Sequence, residues 1–472
     1  MNPPLDMALH QEIESAVALL DEARRSAEPA KWMAGLQACD RVLALIDQAD
    51  ATAKAQATQA AETTVSAAEG ASAEAAAYKP SPNLAAARST LWLKRGHLCE
   101  AAGTAEAAAQ ALECYGRAIA SIDGLPGPGP TVGRAVAWMN RGNVLQRYRD
   151  EKAWLEAVRC YDQTIGWLGS LSDQGKVDAE LAGMLGAAWM NRGSALRRFN
   201  KIEQWDEALK SFEQSLGLYQ QLASANPALT PNVVAAWGGR AEAKMAMGEP
   251  AEAARSHGQA LATLRAFSER TGQQLEPWDY ADINLQLGQA LAQAEDTEGA
   301  LREFRVVLEL VAPDERDEVP AGILGLRARH AICIILGAQL AAAGKDSGEL
   351  RAEVGDLAED GLALAAVWKA RGEEDMIGGP GLGLRLFEFG AWLYRTQQPQ
   401  FLAEFLGEHL GEVPGPRAQV AAQVLAQAKQ EILQRPLPNL TSAEISRTQA
   451  LIEGLRALET RLGLGTTARV AG

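Results

Sequence analysis

The chain is poor in cysteine and histidine, and runs of β-branched residues are scarce. Its five cysteines are odd in number and scattered, and none forms a C-x-x-C pair, which argues against a disulfide framework and a zinc site. No spacing typical of a hydrolase, a metalloprotease or a phosphate-binding loop occurs. Ala and Leu dominate instead, so the sequence predicts an all-α protein. Because the motifs of catalysis and metal binding are missing, we expect that it is not an enzyme and that it uses no metal and no cofactor.

Long hydrophobic runs are also missing. The longest, near residues 331–343, is too short and too interrupted to cross a bilayer, and the first residues lack the basic and apolar stretches of a secretory signal. Together with the unpaired cysteines, these features predict a cytoplasmic location. The formal net charge of −15 argues against a general affinity for nucleic acid or for an anionic membrane.

One hexapeptide occurs twice in the chain. Ala-Trp-Met-Asn-Arg-Gly occupies residues 137–142 and returns at residues 188–193. A second Trp, an Ala and an aromatic residue follow the two copies at equal offsets: Trp154, Ala157 and Tyr161, then Trp205, Ala208 and Phe212. Two sets of landmarks at equal offsets indicate an internal repeat, and stacked repeats can bury a core in a chain of 472 residues.

Two periodic registers define the repeat. In the first helix of each pair a small residue recurs, and tryptophan precedes the first four of these residues by four positions. The small residues are Gly96, Gly142, Gly193, Ala241, Gly288, Gly337 and Gly390. In the second helix an alanine recurs, and a ring follows it by four positions: Tyr115, Tyr161, Phe212, His257 and Phe304. Such spacing lets two antiparallel helices interlock, so the tryptophans and these rings are predicted to be core residues.

These registers resemble the signature of the tetratricopeptide repeat (TPR), strongly over residues 87–312 and more weakly over residues 320–412. The resemblance implies a TPR-like α-solenoid superhelix of antiparallel helix pairs. The repeats are longer than the family's 34 residues. Their small residues lie 46 to 53 positions apart, and the first three repeats carry three extra residues between their helices.

The chain divides into five predicted segments. Residues 1–49 form an N-terminal helical hairpin, a diverged repeat, and residues 50–86 form a low-complexity linker rich in Ala, Thr, Ser and Glu. TPR-like repeats occupy residues 87–312, and degenerate TPR-like repeats occupy residues 313–412. Residues 413–472 are predicted to form a C-terminal capping helical hairpin, which would cover the last stacking face of the solenoid.

The resemblance also implies that the first helices of the pairs, here called the A helices, line a concave groove. The family's groove-facing positions fall here on polar side chains: Lys94, His97, Asn140, Asn143, Gln146, Arg147, Asn191, Ser194, Arg197 and Arg198. Asn140 and Asn191 take the same position in consecutive repeats, and an amide can pair with any extended backbone because it both donates and accepts. The arginines favour a segment of acidic character.

The sequence therefore predicts a non-catalytic scaffold or adaptor for protein–protein interaction, which binds an extended peptide segment of a partner in its groove. Two alternatives stay open: a regulatory sensor that binds a small peptide or metabolite in the groove, and an accessory subunit of an enzyme assembly. For the groove residues themselves, the alternative is a solvated polar face without a ligand. Nucleic acid is not an expected partner, because the aromatic residues that could stack on bases are assigned to the core.

Overall fold

The structure is a computed structural model that describes residues 7–26, 28–67, 81–172, 175, 178–343 and 348–371. The predicted capping hairpin at residues 413–472 and the last small-residue position, Gly390, lie outside these residues. Within them all regular structure is helical and no strand occurs. The α-helices are α1 Met7–Arg25, α2 Pro29–Ala67, α3 Pro82–Ala101, α4 Ala105–Ser121, α5 Pro128–Leu145, α6 Glu151–Ser172, α7 Ala179–Leu196, α8 Ile202–Ala225, α9 Thr230–Ala246, α10 Pro250–Thr271, α11 Pro277–Gln293, α12 Thr297–Val311, α13 Val319–Ala343 and α14 Gly348–Ala370.

The chain forms two compact units, Met1–Met247 and Gly248–Gly472. In the first, the pairs α1/α2, α3/α4, α5/α6 and α7/α8 pack in succession, and α9 packs on α8. In the second, α10 packs on the pair α11/α12, which is followed by the pair α13/α14. Within each unit, consecutive helices thus pack on one another, which confirms the prediction of a TPR-like solenoid of antiparallel helix pairs.

The N-terminal hairpin differs from its predicted extent. Helix α2 continues through the first part of the predicted linker as far as Ala67, and α3 begins at Pro82. Alanine has the highest helix propensity, so an Ala-rich segment extends a helix that is already nucleated. The hairpin packs on α3 through a core that includes Leu20, Ile46 and Leu91.

The small-residue register is explained by the rings of the second helices, here called the B helices. A Cβ atom added to Gly96 would lie 2.5 Å from Cε1 of Tyr115, and one added to Gly193 would lie 2.8 Å from Cε1 of Phe212. The same close approach recurs at Gly142 and Tyr161 and at Gly288 and Phe304. These four rings are fully buried, so the glycines let each A helix lie directly on the ring of its own B helix.

The arginine that precedes the small residue connects consecutive repeats. Each of these arginines lies over the tryptophan three positions before it, with 5.7 to 5.9 Å between guanidinium and ring: Arg95, Arg141, Arg192 and Arg240. Three of them also pair with a carboxylate on the B helix of the preceding repeat, namely Asp40, Asp162 and Glu213. We call the four residues the bridging arginines; no role was predicted for this position.

Arg141 is the exception among the bridging arginines. It pairs with Glu156 of its own repeat. On the preceding B helix, α4, Gly116 occupies the position of Asp162 and Glu213, and a Cβ atom at Gly116 would lie 3.6 Å from Nη1 of Arg141. The junction between α4 and α5 therefore lacks a bridging carboxylate.

Replacing Gly116 with Glu should stabilise the first unit by about 1 kcal/mol. Removing a glycine from a helix interior contributes about 0.5–1 kcal/mol, and a partly exposed ion pair to Arg141 adds a few tenths. Urea denaturation measures the gain. Gly116→Gln is the matched control, because it supplies the helix propensity without the charge. If Glu and Gln stabilise equally at low salt, Arg141 does not pair across this junction.

Helix α13 is the apolar centre of the second unit. By length and composition, the segment Val319–Leu340 could cross a membrane, so the apolar stretch is longer than predicted from the sequence. No other described helix is long and apolar enough to do so. Slightly more than half of it is buried within the protein. Ala328, Ile332 and Leu336 belong to the core shared by α11, α12 and α14, and this burial accounts for the apolar composition.

His257 of α10 replaces the Tyr or Phe of the other repeats and is buried. Burial lowers its pKa to about 4 from 6.5. The unfolded chain takes up this proton below about pH 6.5 and the folded chain does not, so stability is lost as the pH falls from about 6.5 towards 4. Between pH 7.5 and pH 5, we expect the unfolding free energy of the wild type to fall by about 2 kcal/mol more than that of His257→Phe. Urea denaturation of both proteins at both pH values measures this; equal pH dependence would contradict it.

Candidate functional site

The A helices of the first unit bring most of the predicted groove residues into one continuous row of contacts. On α3, Nζ of Lys94 pairs with both carboxylate oxygens of Asp21 on α1, at 2.7 and 2.8 Å. His97 Nε2 of α3 lies 2.8 Å from Nδ2 of Asn140 on α5. We call this row, with its continuation through Asn143, Gln146, Arg147, Asn191 and Arg197, the helix A ladder.

The ladder repeats one pairing between fixed positions. The residue two before the small residue contacts the residue one after the small residue of the preceding repeat. Asn140 meets His97 in this way, and Asn191 Nδ2 donates to Asn143 Oδ1 at 3.0 Å. Gln146 Nε2 adds a hydrogen bond to the backbone oxygen of Asn191 at 2.7 Å. The asparagines therefore connect consecutive repeats.

The tyrosines of the B helices donate hydrogen bonds to residues of the A helices. Tyr161 Oη donates to Asn143 Oδ1 at 2.9 Å, and Tyr115 Oη donates to Glu100 at 2.9 Å. Burial raises the pKa of both phenols, so they remain donors at neutral pH. The Tyr115 ring also contacts the His97 ring edge to face at 5.8 Å, and burial lowers the pKa of His97 and favours its neutral form.

The side-chain pairing of the ladder is not repeated between the third repeat and the next A helix. Phe212 has no hydroxyl there, and Ser194 takes the place of Asn143. In the next A helix, Gly239 stands where Asn140 and Asn191 stand in theirs. Ser194 is half-buried and makes no hydrogen bond through its side chain within the described residues.

The arginines of the predicted groove have acidic neighbours. Arg147 donates to Glu100 of the preceding repeat at 2.5 Å, and Arg197 pairs with Glu242 of the following one. Arg198 lies over the ring of Trp154 at 5.8 Å. The face is therefore less basic than its arginines indicate, because carboxylates from adjacent repeats balance them.

The longer turns between the paired helices position these arginines. The indole Nε1 of Trp154 donates to the backbone oxygen of Tyr148 at 2.6 Å, and Nε1 of Trp205 lies 3.4 Å from Oδ1 of Asn200. Asn200 has a positive φ of 50°, a conformation that asparagine tolerates. The second Trp of each repeat is thus half-buried and closes the turn that carries Arg147 or Arg197.

Two amide oxygens of the ladder are available to a ligand as hydrogen-bond acceptors. Asn140 and Asn191 use Nδ2 within the ladder, and their Oδ1 atoms accept no hydrogen bond from the described residues. Both residues are half-buried, and neither oxygen is among the buried unpaired atoms. The described residues contain no group of three or more His, Cys, Asp or Glu that could hold a metal ion.

The helix pairs and their two registers define a tetratricopeptide-repeat-like class of protein. No protein-family model and no curated protein matches the chain. Among solved structures it is similar to a Rap protein complexed with competence and sporulation factor, at 14% identity over 96% of this chain and 99% of that one, with a TM-score of 0.37.

Two further solved structures are similar to the chain at low sequence identity. One is a STAND signal-transduction ATPase with a tetratricopeptide repeat sensor from Pyrococcus horikoshii, at 9% identity over 80% of this chain and 53% of that one, with a TM-score of 0.42. The other is yeast Tom70, at 11% identity over 92% of this chain and 99% of that one, with a TM-score of 0.25.

Proposed function

We propose that this chain is a non-catalytic scaffold that binds an extended peptide segment of a partner protein along the helix A ladder. The observation that carries the proposal is the pair of amide oxygens on Asn140 and Asn191, which accept no hydrogen bond from the described part of the chain and lie at equivalent positions of consecutive repeats. Such oxygens can accept from backbone N–H groups whatever the sequence of the peptide. The five cysteines, all free and buried, support a cytoplasmic setting for this activity.

The spacing of the ladder suits an extended chain. Asn140 and Asn191 lie on the consecutive A helices α5 and α7, which the Asn191–Asn143 hydrogen bond connects, and packed helices lie about 8–10 Å apart. In the polyproline II form an extended peptide advances about 3.1 Å per residue with three residues per turn, so every third backbone N–H points to the same side and could meet an amide oxygen. The internal contacts of the ladder hold these side chains in place before the peptide arrives, which lowers the entropy lost on binding.

Asn140→Ala combined with Asn191→Ala should weaken peptide binding about 10- to 100-fold, the effect of losing two hydrogen bonds of roughly 1 kcal/mol each or slightly more. Random dodecapeptides displayed on phage and selected on the wild type supply the ligands. Fluorescence anisotropy then measures their affinities for both proteins. N-methylation of single residues in a selected peptide should reproduce the loss at the positions that donate to Asn140 and Asn191.

Gln163→Ala with Gln214→Ala is the matched control. These amides also occupy equivalent positions of consecutive repeats, but they are exposed on the B helices α6 and α8. This variant should bind the selected peptides as the wild type does. Failure to select any peptide, or an equal loss in both double variants, would contradict the proposal.

A further inference from the structure

The second unit contains an open cleft of about 490 Å³, which is distinct from the helix A ladder. Helices α12 and α14 form its sides, and both pack on α13 between them. Leu308 of α12 and Leu357 of α14 give the lining its accessible apolar surface, and Ile332 of α13 is fully buried behind it. A cleft of this size takes up side chains from one face of a docking segment.

Helix α14 adds carboxylates to this lining. Glu349, Glu353, Asp356 and Asp360 recur at intervals of four, three and four residues, so they lie on one face of the helix, and all four line the cleft. At 1.5 Å per residue the row is about 16 Å long, or three helical turns. Glu349, Asp356 and Asp360 are exposed and make no ion pair with any described residue.

Arg305 indicates which side chain suits the cleft. It extends from α12 and donates to Glu353 on α14 at 2.7 Å, so a guanidinium already spans the two sides. Among the described residues of the lining it is the one cation, against four carboxylates. Because a concave protein wall focuses the field of its charges, cations that enter the cleft are attracted more strongly than on an open surface.

We propose that this cleft docks a helical segment of a partner protein that carries Lys or Arg at the spacing of the carboxylates and leucine-like side chains between them. The apolar side chains would cover Leu308 and Leu357, as in other helix-in-groove interfaces, and the cations would pair with Glu349, Asp356 and Asp360. Charge and apolar surface together select this occupant, because a small polycation would leave the apolar lining uncovered. The inference does not depend on the function proposed for the ladder.

The test uses a fluorescein-labelled Leu/Lys peptide of about 16 residues, which as a helix is long enough to cover the carboxylate row. Anisotropy with the full chain should show saturable one-to-one binding. The triple variant Glu349→Gln, Asp356→Gln and Asp360→Gln should weaken that binding about tenfold or more. The control triple Glu12→Gln, Glu14→Gln and Glu269→Gln removes the same charge from exposed positions elsewhere and should change it less than about twofold.

A charge swap keeps the test decisive if neutralisation disturbs folding. The variant Glu349→Lys, Asp356→Lys and Asp360→Lys should bind a Leu/Glu peptide of the same pattern, which the wild type does not bind. A scrambled Leu/Lys peptide that cannot form an amphipathic helix should bind the wild type about tenfold more weakly. Equal losses in the cleft and control triples, equal binding of the scrambled peptide, or spermine binding at the same affinity and lost in the same triple variant would overturn the proposal.

Discussion

Replacing Arg329 with leucine should destabilise the second unit by about 3–5 kcal/mol, the usual effect of breaking a buried ion pair. The guanidinium of Arg329 on α13 donates to both carboxylate oxygens of Glu315, at 2.7 and 2.9 Å. Both side chains are only 10% exposed. The leucine variant leaves the Glu315 carboxylate buried without a partner, so the cost is mainly that of desolvating an unpaired charge.

The expected loss extends to the loop between α12 and α13. The backbone oxygen of Glu315 accepts a hydrogen bond from Nε1 of the fully buried Trp368 at 2.9 Å, so Glu315 connects this loop to α13 and to α14. Hydrogen exchange of α13 and α14 measures the change in the unit that contains the pair. The double variant Arg329→Leu with Glu315→Leu should recover most of the loss, because no charge is then buried. Equal destabilisation in the single and double variants would show that packing, and not charge, dominates at this site.

Replacing Phe212 with alanine should destabilise the first unit by about 3–5 kcal/mol, the range for a fully buried aromatic ring. The ring is 1% exposed and packs between two A helices. A Cβ atom added to Gly193 of α7 or to Gly239 of α9 would lie 2.8 or 2.6 Å from it. The truncation therefore leaves a cavity that two close backbones line, and those backbones cannot collapse into it without moving whole helices.

Trp189→Ala is the comparison for Phe212→Ala, measured by urea denaturation in the same buffer. The sequence predicts both as core residues, yet the structure leaves Trp189 half-buried beneath Arg192. We expect its truncation to have about half the effect of Phe212→Ala, since less apolar surface is removed from the interior. A larger loss at Trp189 than at Phe212 would reverse the assignment of these two registers.

The sequence predicts the fold well because its two registers correspond to contacts between helices that are adjacent in the chain. A glycine in one helix and a ring in the next, such as Gly142 and Tyr161, must meet if the helices are antiparallel neighbours. The length of α2 was not predicted, since an Ala-rich segment is compatible with both linker and helix. The pair Glu315–Arg329 has no sequence signal either, because it depends on how a loop folds back onto α13.

The candidate site was predicted in its positions but not in its contacts. The repeat register places Asn140 and Asn191 on the A helices. It does not give the offset between consecutive A helices, which determines that Asn140 meets His97 and that Asn191 meets Asn143. The acidic partner Glu100 was missed for the same reason: it lies one repeat away from Arg147. Acidic residues one repeat away from an arginine are the signal that could have found it.

The missing carboxylate at Gly116 has a consequence for cooperativity. In a repeat protein each repeat is stabilised chiefly by its immediate neighbours, so unfolding propagates through the junctions and stops where coupling is weakest. Bridging arginines couple α2 to α3, α6 to α7 and α8 to α9, whereas Arg141 does not couple α4 to α5 in this way. The coupling across that junction is therefore weaker by a few tenths of a kcal/mol than it would be with a carboxylate at Gly116. The His97–Asn140 contact of the helix A ladder crosses the same junction, so anything that strengthens this contact also couples the unfolding of α3 and α4 more tightly to that of α5 and α6.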